Sequence, residues 1–233
     1  MSSQTHVGRL STAGLWARQF VAIGMACVAT VALVHAQDEP ASALAARLQQ
    51  RYDGVKDFSA GFVQSYEGGL LRQKTSERGT VVVKKPGRMR WVYTEPERKE
   101  FVADGTRMYS YVPADRQVIV SPMPAADEAT TPVLFLVGRG HLTRDFYVAY
   151  TTIAGAPEGT VTLRLTPKRA EREYEWLALV VDRGTLRLRM LVAADAQGGT
   201  STFEFLDLKE NVGVSDTTFR FTIPRGADVI TQG

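Results

Sequence analysis

Apolar and polar positions divide the chain into one helical stretch followed by a long run of strands. In "DEPASALAARLQQRYDGV" (38–55), Ala41, Leu44, Ala45, Leu48, Tyr52 and Val55 recur at helical spacing, which predicts an amphipathic helix. Asp38, Glu39 and Pro40 suit its start, and Gly54 suits its stop. From Phe58 onward the period becomes two. "FSAGFVQSY" (58–66) puts Phe58, Ala60, Phe62, Gln64 and Tyr66 on one face. In "VVVKKPGRMRWVY" (81–93), Val81 and Val83 oppose Val82. After a turn, Met89, Trp91 and Tyr93 share one face while Arg88 and Arg90 take the other. Further strands are expected at 74–84, 99–103, 107–112, 117–121, 146–152, 160–166, 175–181, 185–193 and 201–208. Asp104-Gly105, Asp182-Arg183-Gly184 and Gln197-Gly198-Gly199 supply hairpin turns. The result is an antiparallel meander of about eleven strands, a mainly β chain with few helices.

The meander is interrupted once. Residues 122–145 do not alternate, and they contain the apolar block "PVLFLVG" (132–138), opened by Thr131-Pro132 and closed by glycine. A connection this long and this apolar, inside an otherwise compact sheet, reads as functional.

The N-terminus is a different kind of segment. Arg9 and Arg18 precede "FVAIGMACVATVALV" (20–34), followed by "VHA" with small residues at Val34 and Ala36. This is the pattern of a secretory signal, with cleavage expected after Ala36; an uncleaved anchor is the alternative, against which the short run and the acidic residues after it both count. Residues 1–36 would be the signal and 37–233 the working domain. Cys27, the single cysteine, lies inside the apolar run. An acylated-cysteine reading of "GMAC" has Gly24 where such sites carry leucine. With the signal removed, no thiol and no disulfide remain.

Overall charge adds little. The chain has 28 basic and 25 acidic residues, and removing Arg9 and Arg18 leaves 26 against 25. That near-balance gives no electrostatic footprint for nucleic acid, and no basic patch is interleaved with aromatics. Catalytic constellations are also missing from the pattern. His141 is the only histidine of residues 37–233, read as a surface or capping residue, and the Gly-Gly pairs stand at turns without a following helix. No cofactor, metal or enzymatic activity is therefore expected.

What remains is a set of large apolar groups: Leu48, Tyr52, Phe58, Phe62, Met89, Trp91, Tyr93, Phe101 and the 132–138 block. A curved sheet with few helices offers two uses for them. Either the helices plug an ordinary core, or they cover a concavity that takes an apolar ligand.

The ordered pieces "FSAGFVQ", "GTVVVKKPGRMRW", "DGTRMYSYVP", "TPVLFL", "LRLTPK" and "FRFTIPRG" resemble the periplasmic outer-membrane lipoprotein carrier (LolA) family, over residues 41–230. The resemblance implies an incomplete antiparallel β-barrel of eleven strands whose hydrophobic cavity is covered by helices. It also implies a monomeric periplasmic carrier of acylated lipoproteins, loaded by an inner-membrane ABC exporter and unloaded by an outer-membrane acceptor. Leu48, Tyr52, Phe58, Phe62, Met89, Trp91, Tyr93 and Phe101 would line the cavity, and Val133, Leu134, Phe135 and Leu136 would form the lid. Lys85 stands where the family usually has an arginine that latches the lid, and a lysine cannot make the planar, bidentate contact. A generic hairpin lysine is the other reading. A carrier of another lipid, or a lipoprotein-sensing regulator of the same fold, remain alternatives. Regulators of that kind usually carry a second C-terminal domain, whereas this sequence ends at Gly233 soon after the last expected strand.

Overall fold

The computed structural model describes residues 39–68, 73–123, 136, 138 and 140–232. Helix α1 spans Ala41–Asp53 and buries Leu44, Ala45, Leu48 and Tyr52, the expected stripe, together with Gln49. Pro40 caps its start through its carbonyl, which accepts from the N–H groups of Ala43 and Leu44. Gly54 ends it with right-handed backbone angles, so the stop does not use glycine's left-handed freedom.

Twelve strands follow. The first six are β1 (Asp57–Gly68), β2 (Gln73–Lys84), β3 (Arg88–Glu95), β4 (Lys99–Asp104), β5 (Arg107–Val112) and β6 (Gln117–Pro122). After the short helix α2 (Leu142–Asp145) come β7 (Phe146–Thr151), β8 (Thr160–Pro167), β9 (Trp176–Asp182), β10 (Leu188–Ala194) and β11 (Thr200–Glu210). A 3-10 turn at Asp216–Phe219 precedes β12 (Asp228–Thr231). All twelve form one sheet in the order β12-β6-β5-β4-β3-β2-β1-β11-β10-β9-β8-β7. Two meanders are thus joined where β1 pairs antiparallel with β11, and the sheet stays open between β12 and β7. The eleven expected strands are all present. The twelfth runs parallel to β6, with Val229 opposite Val118, and its four exposed residues gave no alternation to read.

One face of this sheet is the core. Pairing aligns Phe62, Gly79 and Tyr93 in one row, Ala60, Val81, Trp91 and Phe101 in the next, and Phe58, Val83, Met89 and Ala103 in a third. Trp91 and Phe203 lie three strands apart, which is about 14 Å at ordinary strand spacing. Their ring centroids are nevertheless 5.4 Å apart, so the sheet curls and this face is its inside. Leu44, Ala45, Leu48 and Tyr52 of α1 and Leu142 of α2 join the same apolar cluster.

Two stretches differ from expectation for identifiable reasons. The expected strand 185–193 starts only at Leu188, because Asp182 gathers the loop: its Oδ1 accepts from the N–H groups of Gly184 and Thr185 and from the Thr185 hydroxyl. The left-handed residue there is Leu186, not the glycine. At β5, the inward residues are Met108 and Ser110, while Tyr109 and Tyr111 turn outward onto Phe221, the former at 5.1 Å.

Candidate functional site: an apolar cavity inside the curled sheet

A cavity of about 280 Å³ opens on the inner face of β3–β6, lined by Met89, Trp91, Tyr93, Phe101, Met108 and Ile119, with Ser110 and Ser121 among its few polar groups. Two larger concavities, of about 810 and 690 Å³, have mixed walls, one setting Glu67, Thr202 and Glu204 beside Trp176 and Met190, the other Glu39, Arg47 and Arg183 beside Leu44 and Val161. Of the three, the smallest offers a predominantly apolar wall.

The eight residues expected to line a cavity all fall in or against one cluster, but they divide into two sets. Met89, Trp91, Tyr93 and Phe101 border the open space. Leu48, Tyr52, Phe58 and Phe62 pack in the filled part beside it. Edge-on aromatic contacts tie the sets together: Phe62 lies 4.8 Å from Trp91 and 4.9 Å from Tyr93, and Tyr93 lies 5.6 Å from Phe101. Met108 and Ile119 escaped the sequence reading, since in "RMYSYV" the tyrosines compete for the inward face. Phe203 also escaped it, because its contact with Trp91 depends on curvature that no local pattern records.

The polar groups beside this wall are almost all satisfied. Tyr93 Oη donates to Gln64 Oε1 at 2.6 Å, and burial pushes this phenol well above its ordinary pKa, with Glu77 adding to the rise. Lys99 Nζ stands 4.4 Å from the Tyr93 ring centre and bonds Glu77 Oε1 at 2.7 Å. Trp91 is the exception. It is 2% exposed, and its Nε1–H is the one buried side-chain donor without an acceptor among the described residues. Such a group costs about 1–3 kcal/mol.

The cover over the inner face is held at three points. Tyr52 Oη donates to the backbone carbonyl of Leu136, which is fully buried. Gln49, buried on α1, accepts from the Leu142 N–H at 3.0 Å and donates to Asp53. Lys85, in the β2–β3 turn, donates to the Tyr52 carbonyl and lies 3.3 Å from the Tyr52 ring centre. Its stem also packs on Gly138, where an added Cβ would meet Lys85 Cδ at 3.1 Å and where φ is +81°. The three other residues expected in the lid, Val133, Leu134 and Phe135, lie outside the described residues. His141 caps α2, its Nδ1 accepting from the Arg144 N–H.

Burial holds the Lys85 ammonium down, at about 8 rather than 10.5, against the pull of Asp53 and Glu210. Between those two values the unfolded chain holds a proton at this position that the folded chain has released. Stability contributed by Lys85 therefore rises with pH across the window. Urea unfolding of the parent and of Lys85→Met is expected to show the parent gaining on the variant from pH 8 to about pH 10. A constant difference would place Lys85 in water.

Comparison with known proteins agrees with the geometry. Residues 53–222 match the family model described as "Outer membrane lipoprotein carrier protein LolA". The chain is 31% identical over 211 residues to the outer-membrane lipoprotein carrier protein of Cupriavidus taiwanensis, covering 89% of this chain and 96% of that one. It is 34% identical over 190 residues to the carrier protein of Chromohalobacter salexigens, covering 81% and 87%. Among solved structures, an uncharacterized conserved protein of Thermus thermophilus shares the fold with a TM-score of 0.51 at 14% identity, over 82% of this chain and 99% of that one. A match of this extent, on a chain with an open curled sheet and an apolar inner cavity, has one outcome: the chain belongs to the outer-membrane lipoprotein carrier (LolA) family.

Proposed function

We propose that this protein is a periplasmic carrier that shields the acyl chains of lipoproteins against the inner face of its sheet. In this reading it accepts them from an inner-membrane ABC exporter and delivers them to an outer-membrane acceptor, as a monomer, without cofactor or hydrolysis. Residues 1–36 serve as the export signal, so the protein recovered from the periplasm begins at Gln37. The observation that carries the reading is the apolar cavity beside Trp91, in a chain of this family.

The energetics require such a shield and also require it to open. Each methylene left in water costs about 0.8 kcal/mol, so a lipid anchor of two or three chains would cost tens of kcal/mol in transit. A space of about 280 Å³ lies at the lower end of pockets that take one small ligand, too little for two or three acyl chains. Loading therefore widens the cavity. An open sheet can spread between β12 and β7 without breaking ladder hydrogen bonds, because those outer strands are not paired. The contacts that resist are Tyr52–Leu136, Lys85–Tyr52 and Gln49–Leu142. Val133, Leu134, Phe135 and Leu136 act as the lid in this scheme, with Lys85 as its latch onto α1.

Native mass spectrometry of the protein purified from periplasm is the test. The expected result is a one-to-one complex with a triacylated lipoprotein, lost when the cargo's lipid-bearing cysteine is replaced. Isolation of the free protein, or of one holding only a small lipid, would refute it.

A further inference from the structure

The cavity wall holds one feature that a container for plain hydrocarbon does not need. Trp91 sits in that wall, 2% exposed, with an Nε1–H that finds no acceptor among the described residues. Three of its ring neighbours are Phe62, Phe203 and Phe205, none of which carries a side-chain oxygen. The Gln64 oxygen on the same face is taken by Tyr93. Phenylalanine would line the wall as well without burying a donor.

We propose that Trp91 Nε1–H donates a hydrogen bond to the carbonyl oxygen that links an acyl chain to its glycerol or amide headgroup. The inference rests on the carrier reading above and names the polar atom of the cargo that the cavity recognises. Hydrocarbon cannot satisfy the indole. An ester or amide carbonyl can, since it is a small acceptor on an otherwise apolar chain. A free fatty-acid carboxylate fits less well, because burying its charge needs a cation. The lysines nearest this face are engaged, Lys99 with Glu77 and Lys85 with Tyr52. The Nε1–H has almost no accessible surface, so it meets the carbonyl only as loading widens the cavity. Seated there, the carbonyl fixes how far an acyl chain enters, and so gives a greasy cavity a register.

The probes are a lipopeptide bearing a dipalmitoyl-S-glyceryl cysteine and its dihexadecyl ether counterpart, which lacks the ester carbonyls. The parent is expected to prefer the ester about 5- to 10-fold, and Trp91→Phe to bind both alike. In the parent, the Trp91 indole proton is expected to move downfield in NMR spectra with the ester and not with the ether. That second readout needs no variant, so it stands even if Trp91→Phe folds poorly. Equal binding of both lipopeptides by the parent, or an unmoved indole proton, overturns the proposal and leaves the carrier reading intact. Binding of neither overturns both.

Discussion

Gly79→Val is expected to destabilise the protein by about 3 kcal/mol, lowering its melting temperature by roughly 6–12 °C. Gly79 occupies β2 where the strand slips in register against β3, between Phe62 on one side and Tyr93 on the other. Those two residues are two strands apart, yet their rings meet at 4.9 Å across the glycine. A Cβ at this position would stand 2.0 Å from the Val92 carbonyl oxygen and 2.9 Å from the Tyr93 Cα. Both are backbone atoms, so no side-chain rotation relieves the clash, and the strand pair itself has to separate. Gly184→Ala is the control. Its added Cβ meets only Asp182 Oδ1 at 3.6 Å, and a change within about 0.5 kcal/mol is expected. Thermal unfolding followed by circular dichroism decides it, and equal melting temperatures for the two variants would show that β2 and β3 are not this close.

The sequence disclosed most of the architecture because most of the sheet has one apolar face. Alternation in 58–66 and 88–94 fixes which side chains turn inward, and the register then lines Trp91 up with Phe101 and sets Phe62 in the neighbouring row with Tyr93. Legibility fails where both faces of a strand are occupied. In β5, Tyr109 and Tyr111 pack against Phe221 from the C-terminal segment on the opposite face of the strand from Met108, so the larger aromatics are not the inward residues, although Tyr109 still borders the cavity. It fails again where a polar side chain replaces a local rule. Asp182 organises its loop so that Leu186, rather than a glycine, turns left-handed, and β10 starts late.

The site was legible as a set of residues and illegible as a shape. Period and motif order pick out Trp91 and Phe62, but nothing local separates a residue that borders open space from one that packs beside it. That distinction depends on how tightly the sheet curls, which sets the 5.4 Å between Trp91 and Phe203. Gln49 was invisible for a related reason. A glutamine on the helix stripe reads as polar exposure, yet it is buried to hold the Leu142 N–H of a segment 93 residues away.

Ser110→Trp is expected to abolish cargo binding while leaving the fold in place. Ser110 lies on β5 between Phe101 of β4 and Ile119 of β6, and it borders the cavity. An indole grown from this position fills the space that an acyl chain would enter, and a strand tolerates tryptophan well. Excluding only two methylenes forfeits about 1.6 kcal/mol, which is more than tenfold in affinity, and a ring this large excludes more. The same substitution separates the two uses of a concavity. If the space is a packing defect, filling it raises the melting temperature and acylated lipoprotein is still carried with parental affinity. If the space is the acyl site, lipoprotein capture falls by well over tenfold at an unchanged or higher melting temperature. Stability and binding then move apart, and a residue that lost function through unfolding could not produce that combination.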